Sequence, residues 1–331
     1  MEFIDAHHHL WDLNALDYVW LNKIGKPKPF GDPTDIQRNY CIEDYLADVQ
    51  ALEDFDLIGS VHIQADAELP DPTLETRWIQ SVIDTSRLPS VIVGFVNLLN
   101  VDAEQTIEQH TKHRSFRGVR QIIGYLEDRP NLSFAQQHLI KAPIWREQYE
   151  LLDAAGLSFD LQLYPEQMID SAEFFARHAL TPVVIDHAGS PYDQSKSGLR
   201  LWQDGIRTLA ELPHLMIKLS GLGMYDTNWS ADRQQFIFDE ILDAFGTSRV
   251  MIGSNFPVDR LMRNYGFVIE QYRSWCNTMS NQDWEKLFTG NARQFYRLDV
   301  ESIHSEVAML AQSKVQAEIF TKPKNRRTSS P

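Results

Sequence analysis

Short apolar runs punctuate the chain from one end to the other. They fall at 2–7, 57–64, 91–98, 116–123, 158–164, 182–187, 215–220 and 250–255, and several are apolar almost throughout, as in Val91-Ile92-Val93-Gly94-Phe95-Val96. Unbroken apolarity over so short a length is the texture of parallel strands buried on both faces. Longer stretches near 42–54, 74–86, 103–113, 145–155, 166–178, 198–211, 231–245 and 263–276 separate them and read as helices. Eight strand–helix pairs predict an α/β fold, a (β/α)8 TIM barrel, in preference to an open doubly wound sheet. No Gly-rich phosphate loop follows the first run, which weighs against the dinucleotide-binding form of that sheet.

Two regions depart from this rhythm. Residues 12–40 form a long first loop rich in Asp, Lys, Pro and Trp. In a barrel it lies over the catalytic face, where Trp11, Tyr18 and Trp20 can close on a substrate ring. Beyond the last pair, Ile303, Val307, Leu310, Val315 and Ile319 recur at roughly helical spacing, ahead of a polar, basic stretch from Lys322 to Pro331. The chain therefore divides into a barrel over 1–298 and, over 299–331, a C-terminal helical extension with a disordered tail.

Composition narrows the function. Of 331 residues, 43% are hydrophobic and 23% charged, which suits a soluble enzyme, and the formal net charge is −15. That sign excludes nucleic acid and anionic membrane as main partners. It leaves a small-molecule substrate, anionic or not, and it leaves a homo-oligomer open. The two cysteines, Cys41 and Cys276, make neither a disulfide framework nor a metal knuckle. With no signal peptide and no apolar run near the ~20 residues that span a bilayer, a reduced cytoplasmic setting is expected.

The chemistry lies at the strand ends. In Asp5-Ala6-His7-His8-His9, strand alternation sets His7 and His9 on one face and His8 on the other, with Asp5 one step deeper. Imidazoles about 7 Å apart at the backbone can converge on one divalent ion, and Asp5 can orient one of them. Val183-Val184-Ile185-Asp186-His187-Ala188-Gly189 ends a second apolar run in Asp-His-x-Gly. There alternation turns His187 inward and leaves Asp186 on the opposite face. Val250-Met251-Ile252-Gly253-Ser254-Asn255-Phe256-Pro257 ends a third, with Gly253 and Asn255 inward.

These three endings, Asp-x-His-x-His, Asp-His-x-Gly and Gly-Ser-Asn-Phe-Pro, together resemble the amidohydrolase superfamily. They are similar in particular to its branch of sugar-lactone and pyrone-dicarboxylate lactonases. Gly118-Val119-Arg120-Gln121, Asp160 to Gln167, Lys218 to Met224 and Gly290-Asn291-Ala292 extend the likeness over residues 2–298. The resemblance implies that His7, His9 and His187 bind one divalent metal, zinc or manganese, or bind the substrate carbonyl directly in members that work without metal. Asn255 stands where most members carry the aspartate that activates water. An amide cannot take a proton near neutral pH, so Asn255 is expected to position water or coordinate, with Asp259 or His62 as substitute bases.

Other strand ends supply the pocket. Arg120 is the candidate to hold a carboxylate or lactone oxygen with its bidentate fork. His62 and Gln64 share a face, as do Gln162 and Tyr164, and Lys218 with Ser220; Trp11 comes from the first loop. The neutral Gln162 and Tyr164 argue against a carbamate-bridged two-metal centre. Three functions remain: hydrolysis of a lactone or similar cyclic ester, metal-dependent non-oxidative decarboxylation of an aromatic acid, and silent small-molecule binding on the same barrel.

Overall fold

The computed structural model describes residues 1–22, 30–52, 54–65, 69–226 and 228–299; the expected C-terminal helix and tail lie outside them. Eight strands form one sheet in sequence order, every neighbouring pair parallel: β1 Glu2–His8, β2 Asp56–Ile63, β3 Val91–Phe95, β4 Phe116–Ile122, β5 Ser158–Gln162, β6 Val183–Ile185, β7 Leu215–Leu219 and β8 Val250–Ile252. All eight expected runs are strands. They stop short wherever the run outlasts the pairing, as at Val96 and Leu98, which stay buried beyond the end of β3.

Helices follow each strand, among them Ile42–Val49, Thr73–Ser86, Ala103–Thr111, Pro143–Ala154, Met168–Phe175, Lys196–Ala210, Ala231–Phe245 and Tyr265–Trp275. Their first turns are locally encoded. Ser195 caps one by accepting from Gly198 N at 3.1 Å, and Asn264 caps another by accepting from Phe267 N at 2.8 Å. The fold is thus a TIM barrel, nearly closed. The seam between β8 and β1 is made past the ends of both strands: Asn255 N donates to His7 O at 2.7 Å, and His9 N to Phe256 O at 2.7 Å.

The chain after residue 276 does more than the sequence suggested. A short helix Asn281–Glu285, a π-turn Lys286–Gly290 and a helix Asn291–Tyr296 pack beneath the barrel. Asn291 Nδ2 donates to Thr247 O and Val250 O, at 2.8 and 2.6 Å, which gives the Gly-Asn-Ala motif a structural role. A hollow of about 770 Å³ between Glu2, Arg273 and Trp284 opens at this N-terminal end, opposite the face where this fold does its chemistry. Among the described residues, no helix is long and apolar enough to cross a membrane.

Candidate active site

At the end of β1, alternation holds. His8 turns outward to stack on Tyr45, ring centroids 4.1 Å apart, with Nε2 3.0 Å from Ser60 Oγ. His7 and His9 turn inward, their centroids 5.0 Å apart. Asp5 holds the seam. Its Oδ1 accepts from Ser254 N at 2.8 Å, and its Oδ2 accepts from the hydroxyls of Ser254, Tyr45 and Tyr265 at 2.7, 3.1 and 3.1 Å. Asp5 therefore aligns the backbone that carries His7 and Asn255; it does not touch a histidine ring. Gly253 makes this possible, because a Cβ there would lie 2.6 Å from that of His7.

At the end of β6 alternation fails. His187, Ala188, Gly189 and Ser190 all have positive φ, at 51°, 55°, 68° and 53°. Trp202 Nε1 clamps the turn by donating to Ala188 O at 2.7 Å. The left-handed run swings His187 back to the side that Asp186 already faces, so both point into the barrel. The expectation that Asp186 lies on the opposite face is corrected here. The His187 and His7 rings stand 4.5 Å apart, and Asp186 meets three partners: Arg120 Nε at 2.9 Å, Lys218 Nζ at 3.1 Å and His7 Nδ1 at 3.3 Å. Burial alone would raise the Asp186 carboxyl, but Lys218, His7 and Arg120 outweigh it and hold it well below the usual range.

Arg120 is buried and in use within the protein. Besides Asp186, its guanidinium donates to Gln64 O at 3.3 Å and to Gln162 Oε1, and Nη2 lies 3.4 Å from His187 Nε2. The anion expected from a substrate is thus supplied internally, while the guanidinium's edge still borders the histidines. Lys218, fully buried, bonds Asp160 Oδ2 at 2.5 Å and His7 Nδ1 at 3.2 Å. Burial pushes the Asp160 carboxyl up to about 6, against the pull of Lys218. Ser220 Oγ lies 3.1 Å from His187 Nδ1.

His9 and Asn255 complete the cluster. His9 Nδ1 lies 2.8 Å from Ile63 O. A carbonyl only accepts, so Nδ1 carries the proton and Nε2 presents a lone pair. Burial, then the charge of Arg120, holds His9 down to about 3, and burial, against Asp186, does the same for His187. Asn255 sits at φ 55°, a conformation that Asn tolerates better than most residues. Its Nδ2 donates to Asp259 Oδ1 at 2.8 Å, and its side chain lies within hydrogen-bonding reach of His9. Burial raises Asp259 to about 7. His7 Nε2 and Gln64 Oε1 are buried without a hydrogen-bond partner, and the Tyr225 hydroxyl lies within hydrogen-bonding reach of Ser190 and Gln162. Sequence reasoning passed over Ser190 and Tyr225; their signal was position, each a few residues past a strand that ends in polar groups.

Three candidates lie elsewhere. His62 accepts from Leu10 N at 3.2 Å through Nδ1 and meets Glu75 Oε1 at 2.9 Å through Nε2, so both nitrogens are committed away from the cluster. Tyr164 donates to Leu132 O at 2.6 Å. Trp11 is fully buried and donates to Arg38 O at 2.7 Å; it packs the first loop together, while Trp20 Nε1 latches that loop to Ala65 O at 2.7 Å.

His7, Asp186 and His187 form a candidate metal-binding group, with ligand atoms all within 4.8 Å of one another. His9, expected to be a ligand, is not among them. The donor set fits a divalent ion poorly. Asp186 and His187 Nε2 already border Arg120, and Asp186 and His7 Nδ1 already border Lys218. Asp160 and Asp186 are matched by the buried cations Lys218 and Arg120, and burial raises Asp5 and Asp259 toward the neutral form, so an added ion would carry poorly compensated charge in a low-dielectric interior.

The amidohydrolase family model matches residues 4–298. An uncharacterised protein of Sinorhizobium fredii, y4mH, is 34% identical over 295 residues, 89% of this chain and 98% of its own. An L-fucono-1,5-lactonase of Burkholderia multivorans is 29% identical over 315 residues, 89% of this chain and 96% of its own. A solved amidohydrolase from Burkholderia multivorans with bound HEPES is 25% identical, covers 90% of this chain and all of that one, and superposes with a TM-score of 0.75; a second crystal form carries zinc (TM-score 0.74). Family, barrel and the converging strand ends agree: the chain belongs to the amidohydrolase family and is a hydrolase.

Proposed function

We propose that this hydrolase opens a lactone or similar cyclic ester of a small, polyhydroxylated or anionic molecule. The observation that carries this reading is the pairing of a neutral His9, whose Nδ1 is committed to Ile63 O, with the side chain of Asn255 within hydrogen-bonding reach of that ring. Both groups can accept from one water: Asn255 orients it, and His9 Nε2, held down to about 3 in the resting site, gains basicity and takes the proton as negative charge develops on the carbonyl oxygen beside it. The guanidinium edge of Arg120 and His7 border the same space and stabilise the oxyanion that develops on the carbonyl oxygen. Collapse breaks the ring C–O bond, and the imidazolium of His9 returns its proton to the leaving alkoxide, so the acid–base cycle closes on one residue. Gln64 Oε1, and the Tyr225 hydroxyl beside Ser190 and Gln162, offer partners to the hydroxyls of a sugar-like ring. The L-fucono-1,5-lactonase relatives support a sugar lactone as the substrate class.

A panel of sugar lactones and pyrone carboxylates, followed by acid release, tests the proposal. Hydrolysis of at least one lactone is expected, with kcat down ~10²–10⁴-fold in His9→Gln. Carbon dioxide release from aromatic acids, with no lactone turned over, would overturn it.

A further inference from the structure

Lys218 is a buried cation to which the hydrolytic cycle above gives no part. It is fully buried at the C-terminal half of β7, with its ammonium among Asp160, Asp186 and His7. An ammonium only donates. At 3.2 Å, with hydrogen-bond geometry, it makes His7 Nδ1 an acceptor. The Asp186 oxygen 3.3 Å from the same nitrogen competes by drawing it as a donor, but that oxygen already has the Lys218 ammonium at 3.1 Å to satisfy it. A neutral imidazole that accepts at Nδ1 carries its proton on Nε2, and His7 Nε2 is the buried, unpartnered atom at the centre of the cluster.

We propose that Lys218 is a tethered cation that takes the electrostatic place of a metal ion and fixes His7 as the Nε2–H tautomer, so that the ring offers the substrate a hydrogen-bond donor. A metal ligated by His7 Nε2 needs the opposite tautomer, with the lone pair on Nε2 and the proton on Nδ1, where the ammonium now points. Lys218 thereby excludes the ion twice, by charge and by tautomer. It is a positioning residue: it acts on the substrate carbonyl through His7. The inference deepens the hydrolytic proposal, in which His7 faces the oxyanion, but its test is independent of any substrate.

The experiment uses the full chain, expressed with zinc and manganese in the medium. Metal analysis of the wild type is expected to find below ~0.1 equivalent per chain, and titration with Co2+ to produce no d–d absorption. Nitrogen-15 spectra of labelled histidine, assigned with His7→Asn, are expected to show His7 protonated at Nε2. Lys218→Gln frees the ring to turn its lone pair inward, and its affinity for Co2+ is expected to rise by roughly tenfold or more. Lys218→Arg keeps the charge and is expected to stay metal-free. Should the glutamine variant fail to fold, the wild-type metal content and His7 tautomer still decide. One tightly held equivalent of metal in the wild type, or a His7 proton on Nδ1, overturns the proposal. A metal-free, Nε2–H protein that opens no lactone would instead refute the hydrolytic reading and leave this one standing.

Discussion

Arg120 is held in place before any substrate arrives, by Asp186, Gln64 and Gln162. Such a group is preorganised, and its removal also strips a buried carboxylate of a partner. Arg120→Met is therefore expected to cost about 2–5 kcal/mol in kcat/KM, with a lower melting temperature as well; unchanged kinetics would remove Arg120 from the mechanism. Asn255 is the opposite case, a neutral group where a charged one would conflict with its surroundings. Asn255→Asp sets two carboxyls at hydrogen-bond distance, one of them already near 7, and converts a donor to Asp259 into a competitor for its proton. A fall in kcat/KM of about tenfold is expected near neutral pH. A rise, with a new basic limb in the pH profile, would mean that a carboxylate does better there. At this scale the sequence was legible where one strand sets both face and neighbour, as for His7, His9 and Gln162. It was not legible for His62, Trp11 and Tyr164, whose partners Glu75, Arg38 and Leu132 come from other segments.

At the scale of elements, all eight strands and their helices follow from apolar runs and helical spacing. What the pattern did not contain is the turn after β6. Period-two reasoning assumes extended backbone, and four consecutive left-handed residues cancel it. Three of the four carry side chains, at a cost of order 1–3 kcal/mol each, which is the kind of strain that persists at functional sites. The turn needs room. Gly221, itself at φ +62°, lies so close that a Cβ would sit 2.5 Å from His187 Nδ1 and 3.1 Å from Asn255 Nδ2. Gly221→Ala is expected to push the imidazole off station and lower kcat/KM by about tenfold or more. Its circular dichroism should stay barrel-like, and full activity would mean that His187 does not depend on this packing.

At the scale of the whole molecule, buried titratable groups set the response to pH. His9, His62 and His187 are each held down to about 3, and His7 and His8 lie well below the ordinary value, by burial first in every case. Unfolding restores a value near 6.5, so these rings contribute stability that is full above that pH and is lost as pH falls toward 3. Asp160 and Asp259, raised to about 6 and 7 by burial, act in the opposite sense and favour the folded state at lower pH. His110, held down to about 4, joins the rings, and Asp5, raised by burial, joins the carboxyls, so six imidazoles outnumber three carboxyls. The melting temperature is therefore expected to drop between pH 6.5 and 4, with a slope of about 1.4 kcal/mol per pH unit for each net proton taken up. His62→Gln, outside the reacting cluster, should flatten that slope; a melting temperature flat across the range would contradict the assignment of neutral rings.

The seam between β8 and β1 carries a consequence for how activity is born. The hydrogen bonds that join the first strand to the last are made by Asp5, His7, His9, Ser254, Asn255 and Phe256, and the pocket is lined by some of these same residues. Half a barrel, however well packed, owns no reaction centre. During refolding, turnover should return only once the chain's two ends have met, and lag behind helix content; a ring left ajar would keep its helices and be inert as an enzyme.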